Sequence, residues 1–247
     1  ANPLPSAGLR DVHVTLAPTK DGFRIDTSGD STLGPFKGLV FLTSPPGGAT
    51  HITIDHLDVW RTSVTGDLTL GHGAASGTVR LSGGGLNGTI ALAPRGGGQG
   101  FDVHLTAKDA AFGGATRLSV RQATIDATGF VGGGKSSISG NVQAQGISYG
   151  TMFIGRLAAT ANVVNGRGTF NASLAGRRGS RFELQLTGDV APDRIDAAAR
   201  GDYGGQAITM PRRAVATSAC SRLSSGTKYG VVIVTVSRAA YSAMSST

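Results

Sequence analysis

The sequence predicts an all-β chain, a long antiparallel meander curled into an open trough. Three observations predict it. The first is a recurring phrase: an apolar residue, a gap, a glycine, then an alternating strand. It reads Val64-Thr65-Gly66-Asp67-Leu68-Thr69-Leu70, then Ser76-Gly77-Thr78-Val79-Arg80-Leu81, then Leu86-Asn87-Gly88-Thr89-Ile90-Ala91-Leu92. Weaker copies follow at Ile138-Ser139-Gly140-Asn141-Val142 and Leu186-Thr187-Gly188-Asp189-Val190. Successive strand side chains point to opposite faces, so each phrase puts apolar groups on one face and Thr, Asp or Arg on the other. The second is composition: 39 glycines in 247 residues, with aromatics at 6% and charged residues at 15%. That much glycine with so regular an alternation reads as turns and bulges rather than disorder. The third is spacing. Short turn signals separate the runs and no helical period lies between them, which favours sequential antiparallel pairing.

The elements follow in order. Val12, Val14 and Leu16 alternate, and Asp21-Gly22 makes a hairpin turn into Phe23 and Ile25. Gly34-Pro35 and Pro45-Pro46-Gly47-Gly48 are loops. Ile52 and Ile54 alternate with Thr53 and Asp55 in a strand that runs on to Val59, and the repeated phrases cover residues 62–93. A glycine-rich turn from Arg95 to Gly100 precedes Phe101, Val103 and Leu105. Leu118, Val120 and Ile125 belong to the next strand or pair of strands, and Gly132-Gly133-Gly134 is a loop. Strands are expected near 135–149, 151–163, 166–175, 180–190 and 194–200, with hairpin breaks at Asn165-Gly166 and Arg178-Gly179. Most should be about 7–9 residues long, about 14 strands in all, giving a trough of ~65 Å at ~4.8 Å spacing.

The character changes near Pro211. No acidic residue follows Asp202, and the stretch from Thr217 to Thr247 is rich in Ser, Ala and Arg. Residues 1–210 are therefore read as the β-trough repeat and 211–247 as a tail that does not continue it, out of frame or poorly ordered. The expectation is also that the chain is an internal piece of something longer, with any membrane anchor or export signal outside it. No segment approaches the ~18–20 apolar residues of a transmembrane helix.

The net charge of +8 suits anionic partners. The basic residues are spread singly along strands, without phosphate-binding helices or stacking aromatics, so nucleic acid is not expected as a partner. Anionic lipid headgroups suit the charge equally well, and a solvated basic surface accounts for it most simply. The single cysteine, Cys220, excludes an intrachain disulfide.

Several motifs look like chemistry. Gly129-Phe130-Val131-Gly132-Gly133-Gly134-Lys135-Ser136 fits the phosphate-loop pattern. That chemistry requires a helix starting at the lysine, whereas Lys135 leads into a strand-like run, so the segment reads as a hairpin loop. Gly83 to Gly88 fits a dinucleotide fingerprint and fails for the same reason. Gly97 to Asp102 resembles one turn of a calcium-binding roll, which needs tandem copies. His13, His51, His56, His72 and His104 show no tight ligand spacing, and five residues separate His51 from His56, which predicts opposite faces of a strand. Asp55 and Asp58 have no evident pocket, and Cys220 sits in the tail. The reading is non-enzymatic, with no catalytic residue, metal or cofactor.

What covers the apolar face then decides the function. Few aromatics argue against a transmembrane barrel. A sandwich or propeller calls for larger core residues, and a β-helix for shorter strands. An open trough remains, with Val, Leu, Ile, Phe and Ala inside, and Thr, Ser, Asp, Arg and His outside. The run from Val59 through Leu70, the repeated Gly-Thr-Val/Ile phrases and Ala207 to Arg213 resemble the TamB branch of the AsmA-like proteins, the translocation and assembly module of the Gram-negative envelope. The resemblance covers roughly residues 9–215 and lies in texture more than in a signature motif.

The resemblance implies a β-trough in the periplasm, anchored in the inner membrane through a segment absent from this chain. It implies a groove that conducts phospholipid acyl chains toward the outer membrane. It also implies support of outer-membrane protein assembly with an Omp85-family partner that docks through regions absent here. The expected lining is Val12, Val14, Leu16, Ile52, Ile54, Leu68, Leu70, Val79, Leu81, Ile90, Leu92, Val103, Leu105, Phe182 and Leu184. The alternative is a structural or adhesin-type surface protein whose β-face packs on itself.

Overall fold

A computed structural model describes residues 9–71, 73–113, 117–192, 194–210 and 214–217, and every regular element among them is a strand. In chain order these are β1 (Arg10–Thr19), β2 (Gly22–Ser31), β3 (Gly34–Thr43), β4 (Thr50–Val59), β5 (Thr62–Gly71), β6 (Ala74–Ser82), β7 (Leu86–Arg95) and β8 (Gly98–Gly113). They continue with β9 (Arg117–Gly132), β10 (Lys135–Tyr149), β11 (Met152–Val164), β12 (Arg167–Arg178), β13 (Ser180–Ala191), β14 (Arg194–Tyr203), β15 (Gln206–Thr209) and β16 (Ala214–Thr217). All belong to one sheet. From β1 to β15 each strand pairs with its sequence neighbour, and β16 pairs with β14. β1 pairs only with β2, so the sheet does not close into a barrel: it is an open antiparallel meander, a trough.

Several expectations change. The strands of the meander up to β14 run 9–16 residues rather than 7–9. Residues 117–132 form one strand, not a pair. The sheet also passes residue 210. β15 covers the Arg200 to Tyr203 part of β14 and β16 covers the Arg194 to Ala197 part, so together they act as one interrupted edge strand. Residues 218–247, with Cys220, lie outside the described residues.

The longest strands, β8 to β11, share one irregularity. Along β8 the apolar alternation runs Phe101, Val103, Leu105, Ala107 and then resumes at Ala110, with Lys108 and Asp109 both exposed. Asp109 has φ 51°, which turns the chain by one residue. Its neighbours make the same step. Lys108 pairs with Gln122 and Ala110 with Val120, so Arg121 stands beside Asp109. Gly146 of β10 and Gly155 of β11 complete the row. The crease ends at β12, where Gly155 is an extra residue between the Ile154–Gly176 and Arg156–Ala175 pairs. Four strands thus carry one added residue side by side. The apolar phase resets in all of them, so Ala110, Val120, Ile147 and Ile154 stay in register with one another. Such bulges bend a strand and raise its twist.

A smaller reset occurs in β4. Leu39 pairs with His56 while Val40 pairs with Ile54, so Asp55 is the extra residue. This corrects the prediction for the histidines. Thr43 pairs with His51 and Leu39 with His56, which puts both rings on the polar face.

Candidate functional site

Directly paired residues of an antiparallel ladder share a face, so the register traces the apolar face strand by strand. Leu16 faces Ile25, Ile25 faces Val40, and Val40 faces Ile54. Ile52 meets Leu68, Thr50 meets Leu70, and Val64 meets Leu81. Val79 faces Ile90, Ile90 faces Val103, Leu92 faces Phe101, and Leu105 faces Ile125. The row continues through Val142, Ala159, Ala172 and Leu186 to Ala199. A parallel row joins Ala144, Leu157, Leu174 and Leu184. Val14, paired with Thr27, lies on the same face, and Val12 precedes it by two residues just after a bulge at Asp11. Phe182 pairs with Gly176 and Tyr203 there.

By this register fourteen of the fifteen residues expected to line the groove lie on one face; Val12 stands at the bulge of β1. The expected set nevertheless jumped from Leu105 to Phe182 and missed the middle. Ile125, Val142, Leu157, Phe170 and Leu174 occupy that gap. Their alternation was readable in the sequence, but their smaller partners, Ala and Gly, diluted it.

Those glycines have a role the sequence reading did not assign. They were expected in turns and bulges. Many stand on the lane itself, opposite large side chains. Gly66 lies between Ile54 and Val79, Gly77 between Leu68 and Leu92, and Gly88 between Leu81 and Leu105. The Phe101 ring takes the space of a Cβ at Gly129, and Phe170 does the same at Gly188. At Gly129 and Gly188 the glycine is the gap into which a neighbouring strand's ring leans, the arrangement known as aromatic rescue in β-sheets.

Among the described residues nothing covers this lane. Ala107, Ala110, Ala144 and Phe182 are its buried apolar residues, and no large side chain is fully buried. Most of the lining is half-buried, screened by lateral neighbours alone. At the β1 end it is open: Val14 is 54% and Leu16 59% exposed. Fourteen strand intervals of ~4.8 Å and rows of ~25 Å make an apolar face on the order of 1,500 Å². That is several times the roughly 300–600 Å² of the largest patch on an ordinary monomer.

The opposite face is polar. His104 pairs across the strands with Asp126, and Thr69 Oγ1 lies 3.1 Å from His51 Nδ1. Arg200 Nε donates to Gln185 Oε1 at 3.0 Å. A shallow depression of about 460 Å³ sits over β9 to β13 on this face, with Ala158, Ser173 and Ala175 between longer Gln143, Arg156 and Glu183 side chains. Leu39 and Phe41 of β3, Phe130 of β9 and Phe153 of β11 also face this way.

The other motifs resolve as hairpins. Gly133 and Gly134 form the turn between β9 and β10, and Lys135 opens a strand. Gly83 to Gly85 turn from β6 into β7, and Gly96-Gly97 from β7 into β8. Among the described residues no three His, Cys, Asp or Glu side chains come together as metal ligands. Compared with known proteins, the chain matches no family model, no curated protein and no solved structure.

Proposed function

We propose that the lane holds and conducts the acyl chains of phospholipids, as a non-enzymatic component of a bacterial envelope that carries lipid between two membranes. The observation that carries this reading is the continuity of an apolar face from β1 to β14 with no layer over it among the described residues. Each methylene removed from water contributes about 0.8 kcal/mol, so hydrocarbon is held without specific contacts. A lane without deep pockets lets it slide. The texture shared with the TamB branch supports the same reading, together with a periplasmic location, an inner-membrane anchor beyond this chain and a role in outer-membrane protein assembly.

A photoreactive residue placed in turn at positions 78 to 82 tests it. Val79 and Leu81 face the lane, while Thr78 and Arg80 face away. Lipid adducts should appear at 79 and 81 and be absent at 78, 80 and 82. Leu81→Asp or Ile90→Arg should block lipid passage with the protein still exported. A dry, lipid-free protein whose apolar faces associate with one another would favour the structural or adhesin-type alternative and reject the conduit.

A further inference from the structure

The hairpin turns alternate between two long rims, those after even-numbered strands on one and those after odd-numbered strands on the other. Between the rims one seam of the meander is short. β6 and β7 pair over five residues, from Gly77 with Leu92 to Leu81 with Gly88. Every other step from β1 to β14 is paired over eight or more among the described residues.

The two ends of this seam differ. At the even-strand rim the Gly83-Gly84-Gly85 turn joins the strands and is anchored on both sides. Thr62 Oγ1 donates to the Gly83 carbonyl at 3.3 Å, and the Lys108 amide donates to the Gly85 carbonyl at 2.7 Å. At the odd-strand rim the strands part. Continued by two residues, the register would set Ala75 against Pro94. Proline has no amide hydrogen to give, and among the described residues Ala74, Ala75 and Ser76 have no partner on β7.

A side chain from the next strand bridges the gap. Gln99 of β8, the cross-strand partner of Pro94, reaches past it to β6. Its Oε1 accepts from the Ala75 amide at 2.7 Å, and its Nε2 donates to the Ala75 carbonyl at 3.1 Å. The carboxamide thus makes with Ala75 the two bonds that a residue of β7 would make. Nε2 also donates to the Gly100 and Ala93 carbonyls at 2.7 and 3.4 Å. Three carbonyls at the nitrogen and one amide at the oxygen leave a single orientation for the group.

Each side of the split stays paired without the bridge. Ala74 to Ser76 lie on Thr69 to Gly71 of β5, and Ala93 to Arg95 lie on Gly98 to Gly100 of β8. Gln99 and Ala75 are half-buried, so water replaces their mutual bonds when they separate, and the side chain regains rotamer freedom.

We propose that the β6–β7 seam is a hinge in the trough and that Gln99 is its latch. Release of the carboxamide lets β1–β6 and the strands from β7 onward part from the odd-strand rim, with Gly83 to Gly85 as the pivot. The split runs to Gly77, which stands in the lane between Leu68 and Leu92, so opening widens the lane there. The inference does not depend on what the lane holds.

The test uses the purified full chain with Cys220→Ser and pairs of spin labels. Gln99→Leu keeps the bulk of the side chain and removes its hydrogen bonds, and far-ultraviolet circular dichroism checks the fold. Labels at Gly71→Cys and Arg95→Cys stand on either side of the split; a Cβ at Gly71 meets no atom within 4 Å, and Arg95 is exposed. With Gln99 in place they should give one narrow distance. With Gln99→Leu a second distance should appear, longer by about 5 Å or more, a strand spacing. Amide exchange at Gly77, beyond the lost bonds, should speed up about tenfold. Labels at Arg95→Cys and Lys135→Cys, both on the far side of the seam, should keep their distance. Gln99→Glu, which sets a carboxylate against the same carbonyls, should open the split at least as far. An unchanged distance between positions 71 and 95 in both variants would overturn the latch. Equal broadening between 95 and 135 would show a general loosening of the sheet and overturn the hinge.

Discussion

The Phe101 ring stands where a side chain on its cross-strand partner Gly129 would have to be. The Ser137 carbonyl lies 2.6 Å from the same point, so any substituent there must displace both a ring and a strand. Gly129→Ala should destabilise the sheet by about 1–3 kcal/mol, the usual cost of overpacking. Phe101→Ala in the same chain removes one of the two obstacles. The double variant should then be more stable than the sum of the single effects predicts, by about 0.5–1 kcal/mol. Urea midpoints of the four proteins measure this, and strict additivity would refute the contact.

The crease gives a matched pair. Gly146 has φ 66°, and a Cβ there would meet Arg121 Cβ at 2.9 Å. Gly155 stands beside it in the row, with its nearest neighbour at an ordinary 3.5 Å. Gly146→Ala should cost about 1–2 kcal/mol, because a left-handed backbone is unfavourable for an L residue. Gly155→Ala should stay within about 0.5 kcal/mol of the parent. Equal effects in thermal unfolding would mean that the crease is not held by Gly146.

Trp60 offers an optical reading of the strand ends. Its ring lies against Gly34 at the start of β3 and against Gly113 at the end of β8, so one side chain ties distant strands along the rim. Gly113→Val leaves no room for the ring. The emission of Trp60, the chain's one tryptophan, should shift to longer wavelength as the ring moves into water. Unchanged emission would show that the ring is not seated on Gly113.

Leu157 and Thr160 test the two faces of one strand. Leu157 pairs with Ala144 and Leu174 in the lane, while Thr160 pairs with Asn141 and Asn171 on the polar face. Leu157→Asp should weaken binding of a fluorescent hydrocarbon probe about tenfold, the equivalent of roughly two methylene contacts. Thr160→Asp should leave it within about twofold, since a surface change away from the lane has little effect. Equal losses from the two substitutions would place the probe elsewhere.

Much of this was legible in the chain. The alternation of Leu68 with Leu70, or Val79 with Leu81, set their common face without any tertiary information, since a strand has a period of two. The hairpin breaks at Asp21-Gly22 and Asn165-Gly166 likewise followed from local backbone preference. His51 and His56 were misread because one extra residue, Asp55, inverts the phase downstream. Where four strands take that step together, at Asp109, Arg121, Gly146 and Gly155, the sequence shows only an irregularity in each. That the four irregularities are one crease follows from register, and register is a relation between strands.

The sequence by itself determined an all-β, one-sided chain with short connections, because strand period and turn chemistry are local properties. Tertiary structure decided three things. It set lane glycines such as Gly129 and Gly188 against a ring of a neighbouring strand, left the apolar face uncovered among the described residues, and collected Trp60, Tyr149 and Tyr203 along one edge. These depend on which strand lies beside which, and pairing brings together residues whose separation along the chain carries no sign of it.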